Sequence, residues 1–239
     1  MSGHSKWSTI KRKKGAADAQ RGRLFSRLAR EITIAAKLGG PSIEGNARLR
    51  LAVQNAKSDN LPKENIARAI KKATGAGEEN YQEVLYEGYA PHGIAVYVEA
   101  LTDNLNRTIA QIRYLFTKHG GRMSKPGTLD FLFERVGCFL LKRSPEWGDE
   151  MVLRLIDAGS SEIEDLGEDG IGVTCPFEQF GAMQKAVEEL GLDIIQADLR
   201  RLPQDPISLS STEAQQVIKF LNLFEEDDDV QRVFHNMKT

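Results

Sequence analysis

VGCFLLK at Val136–Lys142, DEMVLRLID at Asp149–Asp157, SEIEDL at Ser161–Leu166, IGVT at Ile171–Thr174, FEQFGAMQKAVEEL at Phe177–Leu190 and DIIQADL at Asp193–Leu199 follow one another with short connections. The first, third, fourth and last are short apolar or alternating runs, as strands are. The second and fifth are longer and carry the helical spacing of apolar residues. The order strand–helix–strand–strand–helix–strand is that of a ferredoxin-like unit, and it predicts an α+β fold for residues 136–205.

Upstream, Val84–Tyr89 and Ile94–Val98 predict a hairpin, with Pro91-His92-Gly93 at its turn. Asp103–Thr108 offers capping chemistry for a helix over Arg107–Lys118, with Ile109, Ile112 and Phe116 inward. A further strand is expected at Leu129–Phe133. Downstream of the Pro203–Pro206 linker, Thr212–Phe224 predicts a helix with Val217, Phe220, Leu221 and Phe224 inward. The acidic run Glu225–Asp229 and a short strand, Val230–Phe234, end the chain. That last helix and strand cannot form a domain alone, and residues 78–135 lack one of each. The economical arrangement is an α+β, multidomain chain. Its middle ferredoxin-like domain, 78–135 plus 206–239, is completed by the C-terminal segment, and 136–205 is an inserted second α+β domain.

Residues 1–77 read as a basic three-helix domain. Leu24, Leu28, Ile32 and Ala35 make the apolar stripe of a helix over Arg21–Leu38 that Gly39-Gly40-Pro41 ends. A second helix is expected over Ala47–Lys57. A third has Pro62 in its first turn, Ile66 and Ile70 inward, and stops at Gly75.

The 239 residues are 41% hydrophobic and 28% charged, ordinary for a globular protein, with a net charge of −2. The distribution is uneven. Residues 1–75 hold 17 Lys and Arg against 5 Asp and Glu, and the remainder holds 15 against 29. Such asymmetry fits a polyanion-binding arm on an acidic body, or two oppositely charged parts that attract each other. The basic residues expected to contact nucleic acid are Lys6, Trp7's neighbours Lys11, Arg12, Lys13 and Lys14, then Arg21, Arg23, Arg27, Arg30, Lys37, Arg48 and Arg50. Trp7 itself fits two roles, stacking on a base or anchoring the tail on the helices. No helix-turn-helix reading head, zinc finger or RNP-type motif accompanies them.

Three other stretches carry two readings each. Asp103–Thr108 is a phosphate site at a helix start, or plain capping. Gly120-Gly121-Arg122-Met123-Ser124-Lys125 is a second phosphate or RNA contact, or a surface turn. Glu225–Asp229 is a cation site, or a solvated, partner-facing acidic turn. His4, His92, His119 and His235 are dispersed, and Glu87 has no second carboxylate paired with it, so a binding protein is expected and no enzyme, metal, cofactor or small-molecule substrate. Cys138 and Cys175 sit in apolar runs and read as reduced core residues of a cytoplasmic protein. No apolar run nears the ~18 residues of a membrane span, and the basic start lacks an apolar signal core.

Gly3-His4-Ser5-Lys6-Trp7, Asp18-Ala19-Gln20-Arg21-Gly22, Ala36-Lys37-Leu38-Gly39-Gly40 and Asn46-Ala47-Arg48-Leu49-Arg50 resemble the YebC/PmpR-type proteins. So do Tyr86-Glu87-Gly88-Tyr89-Ala90-Pro91, Thr102-Asp103-Asn104, Asn106-Arg107-Thr108, Lys118-His119-Gly120-Gly121 and Asp228-Asp229-Val230-Gln231. The resemblance implies a helical N-terminal domain, a middle α+β domain closed by the C-terminal segment, and an inserted α+β domain. It implies a DNA-binding transcriptional regulator, or a translational activator bound to ribosomal RNA on the ribosome. Leu105 and Arg122–Pro126 depart from the family's usual residues at those positions. An acidic protein–protein adaptor is the third reading.

Overall fold

The computed structural model describes residues 18–74 and 81–238, with side chains described from Arg21 onward. Among the described residues three helices come first: α1, Asp18–Gly39; α2, Ala47–Ser58; and α3, Lys63–Thr74. Leu28, Ile32, Leu49, Val53, Leu61 and Ile66 form their shared core. Asn46 makes the corner between the first two. Its Oδ1 accepts from Leu49 N at 3.0 Å, capping α2, while its Nδ2 donates to Ala35 O at 2.7 Å and Gly40 O at 2.8 Å. Pro62 stands just ahead of α3 rather than inside its first turn, and its carbonyl accepts from Ile66 N at 3.2 Å.

The first sheet has the order β3-β1-β2-β8, with every pairing antiparallel. Its strands are β1, Gln82–Tyr89; β2, Ala95–Thr102; β3, Arg122–Met123; and β8, Val230–His235. Helix α4, Leu105–Lys118, and helix α7, Ser211–Glu225, cover one face. Phe116, Phe220 and Phe224 meet there with ring centroids 4.8 to 5.6 Å apart. The return of the chain to add β8 beside β2 is as expected. The hairpin of β1 and β2 followed by a helix is as expected, and it occupies the centre of the sheet. With two strands before its first helix, this domain does not follow the strand–helix–strand–strand–helix–strand order that a ferredoxin-like unit has.

The second sheet has the order β5-β6-β4-β7. It comprises β4, Phe133–Leu141; β5, Glu162–Asp165; β6, Ile171–Pro176; and β7, Ile194–Pro203. Helices α5, Asp149–Asp157, and α6, Phe180–Glu189, pack on it over Phe139, Leu155, Val173, Met183 and Val187. This is the ferredoxin-like order that the pattern of residues 136–199 predicts.

One strand prediction fails. Leu129–Phe133 contains a 3-10 turn at Asp130–Leu132, and β4 begins only at Phe133. Local alternation favoured a strand, but two non-local bonds win. The backbone N–H of Leu129 goes to the Glu87 carboxylate at 2.8 Å, and Asp130 accepts from the Tyr97 hydroxyl.

The three parts are joined by polar contacts. The edge of β7 is covered by α2: the Asn55 amide donates to Ala197 O at 2.7 Å and accepts from Ala197 N at 3.1 Å, as a neighbouring strand would. Gln54 and Ser58 bond Ile194 O and Ile195 O at 2.9 and 2.6 Å. Arg232 on β8 donates to Asp198 Oδ1 at 3.1 Å and Leu199 O at 2.9 Å on β7. Burial opposes the Arg232 charge, but Asp198, Glu99 and Glu31 outweigh it and raise its pKa above the ordinary guanidinium value. Asp198 keeps Arg200 at 3.5 Å and Gln196 when Arg232 is removed, so Arg232→Ala loses a hydrogen bond to a charged group and is expected to cost about 2 kcal/mol, read as a lower urea midpoint; an unchanged midpoint would show that the pair contributes nothing net.

Candidate functional site

The charged face of α1 lies against the acidic run that follows α7. Arg27 Nη2 donates to Glu225 O and Arg30 Nη1 to Asp228 O. Arg30 also stands 3.5 Å from Asp229 Oδ1, with its guanidinium 5.7 Å from the Tyr81 ring centroid. The last carbonyls of a helix lack partners within it and carry the negative end of its dipole, so an arginine suits that place. A polar cleft of about 710 Å3 opens here, lined by Arg30, Tyr81, Arg107, Asp103, Asp227 and Asp228 among others.

Asp229 is the centre of this junction, with 7% of its surface exposed. Its Oδ2 accepts from Arg107 Nη2 at 2.8 Å, Thr108 Oγ1 at 2.8 Å and Thr102 Oγ1 at 3.3 Å. Its backbone O accepts from Leu101 N at 2.7 Å. Arg107 also bonds Asp103 at 2.8 Å. Burial by itself would raise the Asp229 carboxyl, but the bonds from Arg107 and Thr108 and the charges of Arg107 and Arg30 outweigh it, and its pKa lies below the usual carboxylate value. Burial pushes neighbouring Asp227 the other way, with Asp229 and Asp228 adding to the rise.

The helix start at Asp103–Thr108 is therefore capped and already holds an anion. Asn104 Oδ1 accepts from Arg107 N at 3.1 Å, and the carboxylate of Asp229 bonds the Arg107 and Thr108 side chains of the first turn. The partner of the acidic run is this chain's own first helix. Neither contact was readable from spacing, because the residues joined lie 121 to 199 positions apart.

The other expected contact residues divide. Arg48 bonds Glu31 at 3.0 Å and also Glu83; Arg50 bonds Glu188 at 3.0 Å and Glu44 O at 2.8 Å. A phosphate would have to displace these partners. Arg21 and Lys37 are exposed on α1, and Arg23 is half-buried. Lys6, Trp7, Lys11, Arg12, Lys13 and Lys14 lie outside the described residues. A second basic face went unnoticed in the sequence: Lys63, Arg68, Lys71 and Lys72 are exposed on α3. The three- and four-residue spacing of the last three was the available signal. Arg68 and Lys72 line a cleft of about 400 Å3 with Arg30, Phe25, Asn65 and Tyr81.

Glu87 is a brace. It is 2% exposed, and its two oxygens accept from Gly127 N at 2.6 Å and Leu129 N at 2.8 Å. His92 bonds Gln216 at 2.7 Å, and His235 is half-buried, its partial desolvation lowering its pKa. Cys138 and Cys175 are buried, and burial pushes the Cys175 thiol up to about 11. Among the described residues no group of three or more His, Cys, Asp or Glu is placed to hold a metal. None of their helices is long and apolar enough to cross a membrane.

Residues 5–76 match the family model described as the TACO1/YebC protein N-terminal domain, and residues 81–237 match the one described as the TACO1/YebC second and third domain. Relatives from Syntrophus aciditrophicus, Rubrobacter xylanophilus and Thermotoga maritima are 45%, 47% and 44% identical. The alignments cover 99%, 99% and 100% of this chain and 95%, 95% and 94% of theirs, and each relative is named "Probable transcriptional regulatory protein". The crystal structure of a conserved hypothetical protein from Aquifex aeolicus is 44% identical, with a TM-score of 0.79 over 98% of this chain and 96% of that one.

Hydrogen bonds to a charged group contribute about 2 kcal/mol each. Asp229→Asn is accordingly expected to destabilise the protein by about 2 kcal/mol at neutral pH. Because the folded carboxyl is depressed, its contribution is fully present above the unfolded value of about 3.9 and is lost as pH falls through the folded one. Thermal melts of wild type and variant should differ by a constant amount at pH 5 to 7 and converge as acid titrates the folded carboxyl. A gap that persists in acid would assign the effect to packing instead of charge.

Proposed function

We propose that this chain, which belongs to the TACO1/YebC family, is a non-enzymatic nucleic-acid-binding regulator of gene expression, with DNA as its partner and transcription as its output. The observation that carries this reading is the charge division of the chain, together with the names of its full-length relatives. Lys6, Lys11, Arg12, Lys13 and Lys14, with exposed Arg21 and Lys37, grip phosphates. Trp7 stacks on a base beside them. Arg27, Arg30, Arg48 and Arg50 serve a different purpose in this reading: they seat the basic helices on the body. The acidic body repels other segments of the polyanion, so contact is steered to the basic surfaces.

A second reading has structured ribosomal RNA as the partner and translation as the output. It is favoured by one observation. The face of α1 that carries Arg27 and Arg30 lies against the acidic run, so it is not offered to a major groove as a reading helix would be. Recognition through shape and backbone suits such a surface.

Replacing Lys11, Arg12, Lys13 and Lys14 together by Ala should weaken binding to duplex DNA and to ribosomal RNA alike. It should flatten the dependence of log Kd on log salt by about one unit for each phosphate contact removed. Unchanged affinity and slope would sink the assignment of the tail. Sucrose-gradient sedimentation of lysate separates the two outputs. Comigration with ribosomes that the variant loses supports translation; absence from ribosomal fractions at every salt supports DNA.

A further inference from the structure

The stretch 104–129 carries Arg107, Arg113, Lys118, Arg122 and Lys125 and no Asp or Glu, inside a body with 29 acidic residues. Its last part forms a braced loop. Gly120 turns the chain with φ +79°, and Gly121 passes so close to Tyr89 O and Phe220 that a β carbon would meet them at 2.6 and 2.7 Å. Arg122 and Met123 then pair with Tyr89 and Gly88 at the sheet edge. Ser124 N donates to Glu87 O at 2.8 Å, and the buried Glu87 carboxylate holds Gly127 N and Leu129 N.

This bracing leaves Arg122 and Lys125 exposed, with the Arg122 guanidinium 4.9 Å from the Tyr89 ring centroid. The turn Asp130–Leu132 follows directly and holds Phe131 with 70% of its surface in water. Its neighbours are committed elsewhere: Leu129 and Phe133 are buried, and the Asp130 carboxylate accepts from the Tyr97 hydroxyl. An aromatic ring kept in water on a pinned turn, a few residues along the chain from two exposed cations, is a combination that binds an unpaired strand. Cations neutralise phosphates, and the ring stacks on a base without regard to sequence.

We propose that Arg122, Lys125 and Phe131 form a second nucleic-acid contact, specific for single-stranded segments, at the opposite end of the first sheet from α1. The inference rests on the nucleic-acid reading above and deepens it. Arg30 of α1 lies beside Tyr81 at the start of β1, and the loop pairs with its last residues, so this patch stands roughly a strand length, about 23 Å, from that part of α1. One strand held at both would gain from the second contact being intramolecular.

The test uses the full chain and fluorescence anisotropy with labelled oligouridine and labelled duplex DNA across a salt series. Phe131→Ala is expected to weaken oligouridine binding about tenfold and to lower the ratio of single-strand to duplex affinity. Phe131→Trp should restore both. Arg122→Ala with Lys125→Ala should flatten the oligouridine salt slope by about 1.4. All three positions are exposed, and matched thermal melts check the fold. Loop variants that keep wild-type oligouridine affinity, while the Lys11–Lys14 variant loses it, overturn the loop assignment, leave the nucleic-acid reading standing and point to a protein partner for this patch. A wild type that binds neither probe overturns both readings.

Discussion

A carboxylate taken out of water must find donors, and Asp229 finds them in two segments far from it in sequence. Thr102, Arg107 and Thr108 come from the end of β2 and the start of α4, and Arg30 comes from α1. The position of Asp229 is set by β8, which starts at the next residue and pairs with β2. The C-terminal strand therefore does two things at once. It completes the first sheet, and it delivers an acidic run to the place where the basic helices dock.

This changes the meaning of the charge asymmetry. A surplus of arginine near one terminus suggests an arm reaching outward for phosphate. Arg27 and Arg30 instead hold backbone carbonyls of the acidic run, and Arg48 and Arg50 hold Glu31, Glu83 and Glu188. The attraction between basic and acidic parts and the binding of a polyanion are not exclusive alternatives in one chain. Helix α1 uses one set of cations inward and leaves Arg21 and Lys37 on the surface. Exposed pairs such as Arg48–Glu83 contribute little individually, whereas the carboxylates of Asp229 and Asp198 are shielded from water and are reached by Arg30 and Arg232 from other parts of the chain.

The braced loop at the other end of the first sheet follows the same logic with opposite sign. Glu87 directs its oxygens to the backbone N–H groups of Gly127 and Leu129, which fixes the loop that carries Arg122 and Lys125. Its burial explains why a carboxylate in an apolar strand has no catalytic partner.

The sequence by itself determined the secondary structure and its class. Apolar spacing located the helices to within a few residues, Gly39-Gly40 and the Asp103–Thr108 caps marked their ends, and the alternation over residues 136–199 yielded the ferredoxin-like order. These depend on contacts between near neighbours, and such contacts are written in the local pattern. Tertiary structure alone decided that Asp130–Leu132 is a turn, that the hairpin legible in the sequence takes the centre of the first sheet, and which arginines face inward. A cation has no period that distinguishes a carboxylate partner two hundred residues away from a phosphate in solution. Only the folded chain, by bringing the last strand beside the second, makes that choice.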